Sequence, residues 1–173
     1  MNLEKLETER LVLRQIELYD EEEIFFLRSD PRILKYLDTP PAKSIDDARK
    51  FIEKIKNGES KKEEWFYWGI TLKNKNKLLG TICLWNFSED RKTADIGYVL
   101  HPDSQGNGLM YEAIRKIIDT AFNVLHLHSI DADVTPDNAK SVSLLERNGF
   151  TLKKSHDNTV IYSLNKNKIC EDF

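Results

Sequence analysis

The stretch from Asp95 to Phe122, DIGYVLHPDSQGNGLMYEAIRKIIDTAF, constrains the fold of this chain more than any other. Ala94, Ile96, Tyr98 and Leu100 alternate with Asp95, Gly97 and Val99, the two-residue period of a strand. The pattern breaks at His101-Pro102-Asp103-Ser104, passes through Gln105-Gly106-Asn107-Gly108, and resumes at helical spacing. Leu109, Met110, Ala113, Ile114, Ile117, Ile118, Ala121 and Phe122 then share one apolar face. Strand, glycine turn and helix in that order make an anion site. The first N–H groups of a helix lack intrahelical acceptors, and the peptide dipoles add partial positive charge there. Glycines at Gly106 and Gly108 let a phosphate approach the backbone closely. An ordinary strand-to-helix turn is the alternative. No Gly-Lys-Ser/Thr follows, so this is not a P-loop, and Tyr111 stands where a dinucleotide fingerprint needs its third glycine.

Around this unit the chain alternates short elements. Arg10 to Ile16 is strand-like, and Asp20 is expected to cap a helix carrying Ile24, Phe25 and Leu27, with Glu21, Glu22 and Glu23 in its first turn. Pro31 restarts the chain into a turn with Ile33, Leu34 and Leu37. Ser44-Ile45-Asp46-Asp47 resembles a capping box ahead of Ala48, Phe51, Ile52 and Ile55, with Gly58 as the stop. Glu59 to Glu64 reads as a charged connector. Trp65–Leu72 and Leu78–Phe87 form a hairpin over the short Lys73–Lys77 loop. After the long helix come a strand at Leu127–Val134 and a helix from Thr135-Pro136-Asp137 ended by Gly149. A final hairpin joins Phe150–Leu152 to Thr159–Leu164. The expected architecture is mixed α/β, with a largely antiparallel sheet of six to seven strands flanked by helices. Residues 1–173 are expected to form one domain, with 165–173 a polar tail.

Charge and cysteine usage narrow the function classes. A net charge of −3 argues against general nucleic-acid or anionic-membrane binding, and no apolar run approaches the ~18 residues of a membrane span. No signal peptide is visible, and two cysteines, Cys83 and Cys170, make no disulfide framework, so a cytoplasmic protein is expected. His126 and His128, two apart in the expected strand, are too few for zinc, and no metal is assigned.

Three pieces together resemble the GNAT superfamily of N-acetyltransferases, in its ribosomal-protein (RimJ/RimL-type) branch. They are Thr8-Glu9-Arg10-Leu11-Val12-Leu13-Arg14; Ala94–Leu100 with Gln105–Ala113; and Asn138-Ala139-Lys140-Ser141 followed by Leu144-Leu145-Glu146-Arg147-Asn148-Gly149-Phe150. The resemblance implies acetyl-CoA as co-substrate. Its pyrophosphate would sit on the backbone of Gln105, Gly106, Asn107, Gly108 and Leu109, with Met110 next in the helix. Tyr98, Val99 and Leu100 would run beside the pantetheine arm, where a backbone N–H polarises the thioester carbonyl. Asn138 would hold that arm or, alternatively, cap its helix. Many members carry a tyrosine acid where this chain has Leu145, so Ser141, one turn earlier, is the candidate acid; a packing serine is the alternative. Asp95 is the candidate base that deprotonates the amine, a surface charge being the alternative, with Glu89 and Asp90 behind it.

The expected activity is acetyl transfer from acetyl-CoA to a primary amine, either a protein N-terminus or a small molecule, by a monomer or homodimer. The segment Leu34–Lys54 and the aromatics Trp65, Phe66, Tyr67, Trp68 and Trp85 are expected to frame the acceptor groove. Leu145, and Asp103 where the superfamily loop has Arg or Gln, keep open a second class: a CoA-binding regulator without turnover. A nucleotide-phosphate domain of another fold is the third class and does not account for the three matching pieces.

Overall fold

The computed structural model describes residues 3, 5–57 and 65–169. The Gly58 stop, the Glu59–Glu64 connector and Cys170 lie outside the described residues. Eight strands form one sheet in the order β1-β2-β3-β4-β5-β6-β8-β7. They are β1 (Lys5–Glu7), β2 (Leu11–Arg14), β3 (Phe66–Leu72), β4 (Gly80–Trp85), β5 (Thr93–Leu100), β6 (Ser129–Val134), β7 (Thr151–Ser155) and β8 (Val160–Asn165). The helices are α1 (Glu21–Leu27), α2 (Pro31–Leu34), α3 (Ile45–Asn57), α4 (Leu109–Asp119), α5 (Ala139–Arg147) and α6 (Lys166–Ile169). The sheet exceeds the expected six to seven strands because β1, at three residues too short to show a period, pairs with β2.

All neighbouring pairs are antiparallel except β5 and β6, which α4 connects as a crossover. That parallel ladder is short. Thr93, Ala94 and Asp95 pair with Ser129, Ile130 and Asp131, and pairing then stops. Beyond it β5 follows β4 as far as Leu100, while β6 follows β8 as far as Val134. Each strand keeps its antiparallel partner, so the sheet opens between Ile96–Leu100 and Ala132–Val134. The facing backbone groups of that gap are left to seek other partners.

Strand alternation sends Ala94, Ile96 and Leu100 to one face, where Ile82, Leu84, Ile114, Ile117, Leu145 and Phe150 complete the larger core beneath α4 and α5. On the other face α1, α2 and α3 bury Ile24, Leu27, Ile33, Ala48 and Ile52 against Ile16 and Leu78. A continuous α4 places Ala113, Ile114 and Ile117 at zero exposure, and a π-helical turn at Thr120–Val124 extends it.

Several local expectations need correction. Asp20 sits ahead of α1 but makes no side-chain cap. Its carboxylate, 2% exposed, takes both guanidinium nitrogens of Arg14 at 2.8 Å and the Glu17 N–H at 2.8 Å. The Ser44 box is only half formed: Ser44 Oγ accepts from the Asp47 N–H, but Asp47 reaches back to the Lys43 N–H. His126, at φ 58°, and His128 both precede β6, so they do not alternate along a strand. The presumed tail is ordered at its start. Asn165 ends β8 opposite Ser129, and Lys166 donates its N–H to His128 O and its ammonium to Phe122 O.

Candidate functional site

A cleft of about 1120 Å³ opens where β5 and β6 part, and it runs from the β5–α4 turn across to α5. That is room for a ligand at or beyond the usual size for small-molecule sites. Its walls include Ile96–Leu100, Gly106, Gly108–Tyr111 and Ala132–Val134, with α2 at one rim and α5 at the other.

The turn between β5 and α4 is shaped by two left-handed glycines, Gly106 at φ 81° and Gly108 at φ 74°. Only glycine adopts those angles without penalty. Gly108 is the N-cap of α4 and offers no side chain to the helix end. The N–H groups of Gly106, Asn107, Gly108, Leu109, Met110 and Tyr111 find no acceptor among the described residues. Beyond the Gly106 Cα there is open space, with nothing within 4 Å of where a Cβ would stand. Unpaired donors, a helix dipole and empty space in front of them make a cradle for an anion.

That cradle is held from behind by residues that had only a sequence resemblance to recommend them. Glu112, in the first turn of α4, accepts from Thr8 Oγ1 at 2.5 Å, from the Arg10 N–H at 2.8 Å and from Arg10 Nε at 2.6 Å. Arg10 also donates to the Asn107 carbonyl at 2.9 Å. The β1–β2 turn thus clamps the glycine turn to the helix. Partial burial pushes the Glu112 carboxyl up, but the bonds from Thr8 and Arg10 outweigh it and leave it lowered. Glu112 was not among the expected site residues; a carboxylate four residues after Gly108 signals it only once Thr8 and Arg10 are known to be adjacent.

Of the expected cofactor residues, Tyr98, Val99, Leu100, Gln105, Gly106, Gly108, Leu109, Met110 and Asn138 all line the cleft, and Asn107 lies in the turn. Gln105 ties the turn to the sheet by donating to the Leu100 carbonyl at 3.1 Å, and it reaches Lys140 at 3.5 Å. Asn138 does cap α5, accepting from the Ser141 N–H at 3.3 Å. Asp103 turns outward, with 83% of its side chain exposed, and is not part of the wall.

Of the two candidate catalytic residues, Ser141 lines the cleft and Asp95 does not. Ser141 Oγ lies 2.7 Å from the Tyr98 hydroxyl, across the gap between α5 and β5. Burial pushes the Tyr98 phenol up to about 12, against the smaller opposing effect of Ser141. Leu145, one turn on from Ser141, is fully buried but borders the same cleft. Asp95 stands at the last rung of the β5–β6 ladder, opposite Asp131, and alternation puts it on the face away from Tyr98. Its carboxyl is raised, first by burial and then by Asp131 and Asp133, while a 2.7 Å bond from Asn86 Nδ2 opposes the rise. Asp90 is engaged in its own turn with Ser88 and the Lys92 N–H. Cys83 is buried, and burial pushes its thiol up to about 12, so it is no nucleophile at neutral pH.

The expected acceptor frame is only partly in place. Trp68 is core, donating to the Leu3 carbonyl, and Tyr67 packs edge-on against Phe51. Ile33, Tyr36 and Leu37 of the α2 region do border the cleft. Trp85, in register with Asp95 on β4, is 45% exposed and does not line the cleft. No helix among the described residues is long and apolar enough to cross a membrane.

Comparison with known proteins agrees with this geometry. Residues 10–151 match the acetyltransferase (GNAT) domain family. The uncharacterized N-acetyltransferase p20 of Bacillus licheniformis is 34% identical over 148 residues, covering 86% of this chain and 83% of that one. The uS5-alanine N-acetyltransferase of Escherichia coli is 33% identical over 89 residues, 49% of this chain and 44% of its own. The crystal structure of the microcin C7 self-immunity acetyltransferase MccE, in complex with acetyl-CoA and AMP, superposes with a TM-score of 0.75 at 26% identity. That match covers 91% of this chain and 93% of that one.

Proposed function

Because the chain belongs to the GNAT family and is an acetyl-CoA-dependent N-acetyltransferase, we propose that it moves the acetyl group directly onto a primary amine. The acceptor is the free N-terminus of a protein or a small-molecule amine. The observation that carries this reading is the opening of β5 from β6, next to a cradle of unpaired N–H groups and in front of two paired hydroxyls.

Each part has a chemical task. The N–H groups of Gly106 to Met110 take the pyrophosphate of acetyl-CoA, and Arg32, Lys140 and Arg147 at the rim add positive charge. The edge of β5 that faces the gap at Tyr98, Val99 and Leu100, together with Asn138, accepts the pantetheine arm, whose amides suit a strand edge. A backbone N–H at this edge polarises the thioester carbonyl as negative charge gathers on its oxygen.

An amine near pH 7 is mostly an ammonium ion, and only the neutral form attacks. Asp95, raised by burial, receives that proton directly or through water. The nitrogen lone pair bonds to the carbonyl carbon, the nitrogen gives its second proton to water, the C–S bond breaks, and the sulfur takes a proton from Ser141, which regains one from water. Base and acid thus serve opposite faces of β5, with the thioester in the gap between strands. The product is an amide and free CoA thiol. Cys83, buried and held as a thiol, offers no covalent way station, which favours direct transfer over an acetyl-enzyme.

The test is thiol release from acetyl-CoA with polyamines, aminoglycosides, and peptides bearing free Ser, Ala or Met N-termini. Release that depends on one acceptor class supports the reading. Tight acetyl-CoA binding with no release across the panel would favour a CoA-responsive regulator.

A further inference from the structure

The contact between Tyr98 and Ser141 carries more than proximity. A serine in a helix usually returns its hydroxyl hydrogen to the carbonyl four residues back. Thr120, in the turn that extends α4, does so to Lys116 at 2.9 Å. Ser141 is the third residue of α5, and Asp137, four residues back, lies before the Asn138 cap, so no helix carbonyl competes for its hydroxyl; its Oγ pairs with the Tyr98 hydroxyl at 2.7 Å. Two hydroxyls that share one contact use one hydrogen and leave the other over. A phenol is far more acidic than an alcohol and is the stronger donor of the two, so Tyr98 donates and Ser141 Oγ accepts. The hydrogen left over is the one on Ser141, and the cleft that Ser141 lines is open to it. Donation from Tyr98 also polarises the Ser141 O–H and strengthens it as a donor in turn.

We propose that Tyr98 is a positioning residue for the departing thiol: it fixes the Ser141 hydroxyl, with its hydrogen turned toward the thioester sulfur. This rests on the reading of Ser141 as the acid. In the step, the amine lone pair bonds to the carbonyl carbon and the C–S electron pair collapses onto sulfur. Sulfur takes the Ser141 proton. Ser141 regains one from water, and the amine's lost proton passes to Asp95 and on to solvent. Tyr98 keeps its own proton throughout. Burial favours its neutral form, so it remains a donor across the neutral range.

Tyr98→Phe removes the hydroxyl and keeps the ring, and Ser141→Ala removes the other half. The first readout needs no acceptor: the ultraviolet thiolate absorbance of CoA bound to each protein at one fixed pH, with binding checked by calorimetry. A hydrogen bond into the sulfur favours thiolate, so the thiolate-to-thiol ratio of bound CoA should fall about tenfold in each variant. The second readout is turnover. Each variant should lose about tenfold in kcat with KM for acetyl-CoA unchanged, and the double variant should lose no more than either one. Equal thiolate ratios in wild type and Tyr98→Phe, both with CoA bound, would overturn the proposal; so would losses that multiply in the double variant. Failure of the wild-type protein to bind CoA would instead remove the cofactor reading itself. If Tyr98→Phe unfolds, Ser141→Ala alone decides: an unchanged thiolate ratio refutes the contact as a donor to sulfur.

Discussion

Replacing Glu112 by alanine is the perturbation that separates scaffold from site. Its carboxylate holds three hydrogens, from Thr8 Oγ1, the Arg10 N–H and Arg10 Nε, and its side chain is 17% exposed. Each such bond contributes about 1 kcal/mol net. The ionic part adds little, because Arg10 is 44% exposed and solvent screens it. Discounting further for exposure leaves about 2 kcal/mol, which for a domain of this size lowers Tm by about 4–8 °C. The loss should not stop at stability. Arg10 also holds the Asn107 carbonyl, so freeing Arg10 loosens the turn that presents the N–H groups. CoA affinity should weaken about tenfold, equivalent to about 1.4 kcal/mol. Thermal unfolding and calorimetric titration with CoA at a temperature well below both Tm values check the two effects. A lowered Tm with unchanged CoA affinity would refute the claim that the β1–β2 turn positions the cradle. Glu112→Gln adds the pH dependence. The folded-state carboxyl is lowered, so its contribution is full above the ordinary glutamate range and is lost as pH falls through the folded value. The stability gap between wild type and Glu112→Gln should therefore close in acid.

Gly106→Ala should cost about 1 kcal/mol from its left-handed φ of 81°, a Tm shift of about 2–4 °C, because nothing within 4 Å obstructs the new methyl. It should weaken CoA binding by more than about tenfold, since the methyl enters the space in front of the donors; unaltered affinity would place the pyrophosphate elsewhere. Asp20→Ala should be the most damaging of these changes, about 3 kcal/mol or more, because it strands Arg14, only 16% exposed, without its carboxylate. Urea unfolding measures it, and a loss under about 1 kcal/mol would show that Arg14 finds relief from the carbonyls of Gln15 and Asn76.

Much of the site was legible because one local pattern wrote it. The strand from Ala94 to Leu100, the two glycines and the apolar face of α4 lie within thirty or so residues, and periodicity and glycine chemistry are local properties. What was not legible depended on distance along the chain. Glu112 meets Thr8 and Arg10 across about a hundred residues, and nothing in its own neighbourhood announces that contact. Asp20 carried a capping signature, yet a partly buried arginine six residues before it claimed the carboxylate. The β1 strand, one apolar residue between two charged ones, is too short for its alternation to be read, and pairing with β2 defines it. The aromatics of β3 could not be divided between core and groove without knowing which face α1–α3 cover. Tyr98 was expected beside the pantetheine arm, but its hydroxyl contact with Ser141 spans 43 residues and was invisible until α5 was placed over β5.

The measurement that bears most directly on the central claim is acetyl-CoA-dependent acetylation of an amine by the purified protein, read as thiol release and by mass of the product. The account predicts that release depends on both donor and acceptor, that the acceptor gains one acetyl group on nitrogen, and that no acetylated protein accumulates when the acceptor is withheld. Stoichiometric acetylation of the protein before the acceptor is added, competent for transfer to it, would contradict direct transfer in the β5–β6 gap.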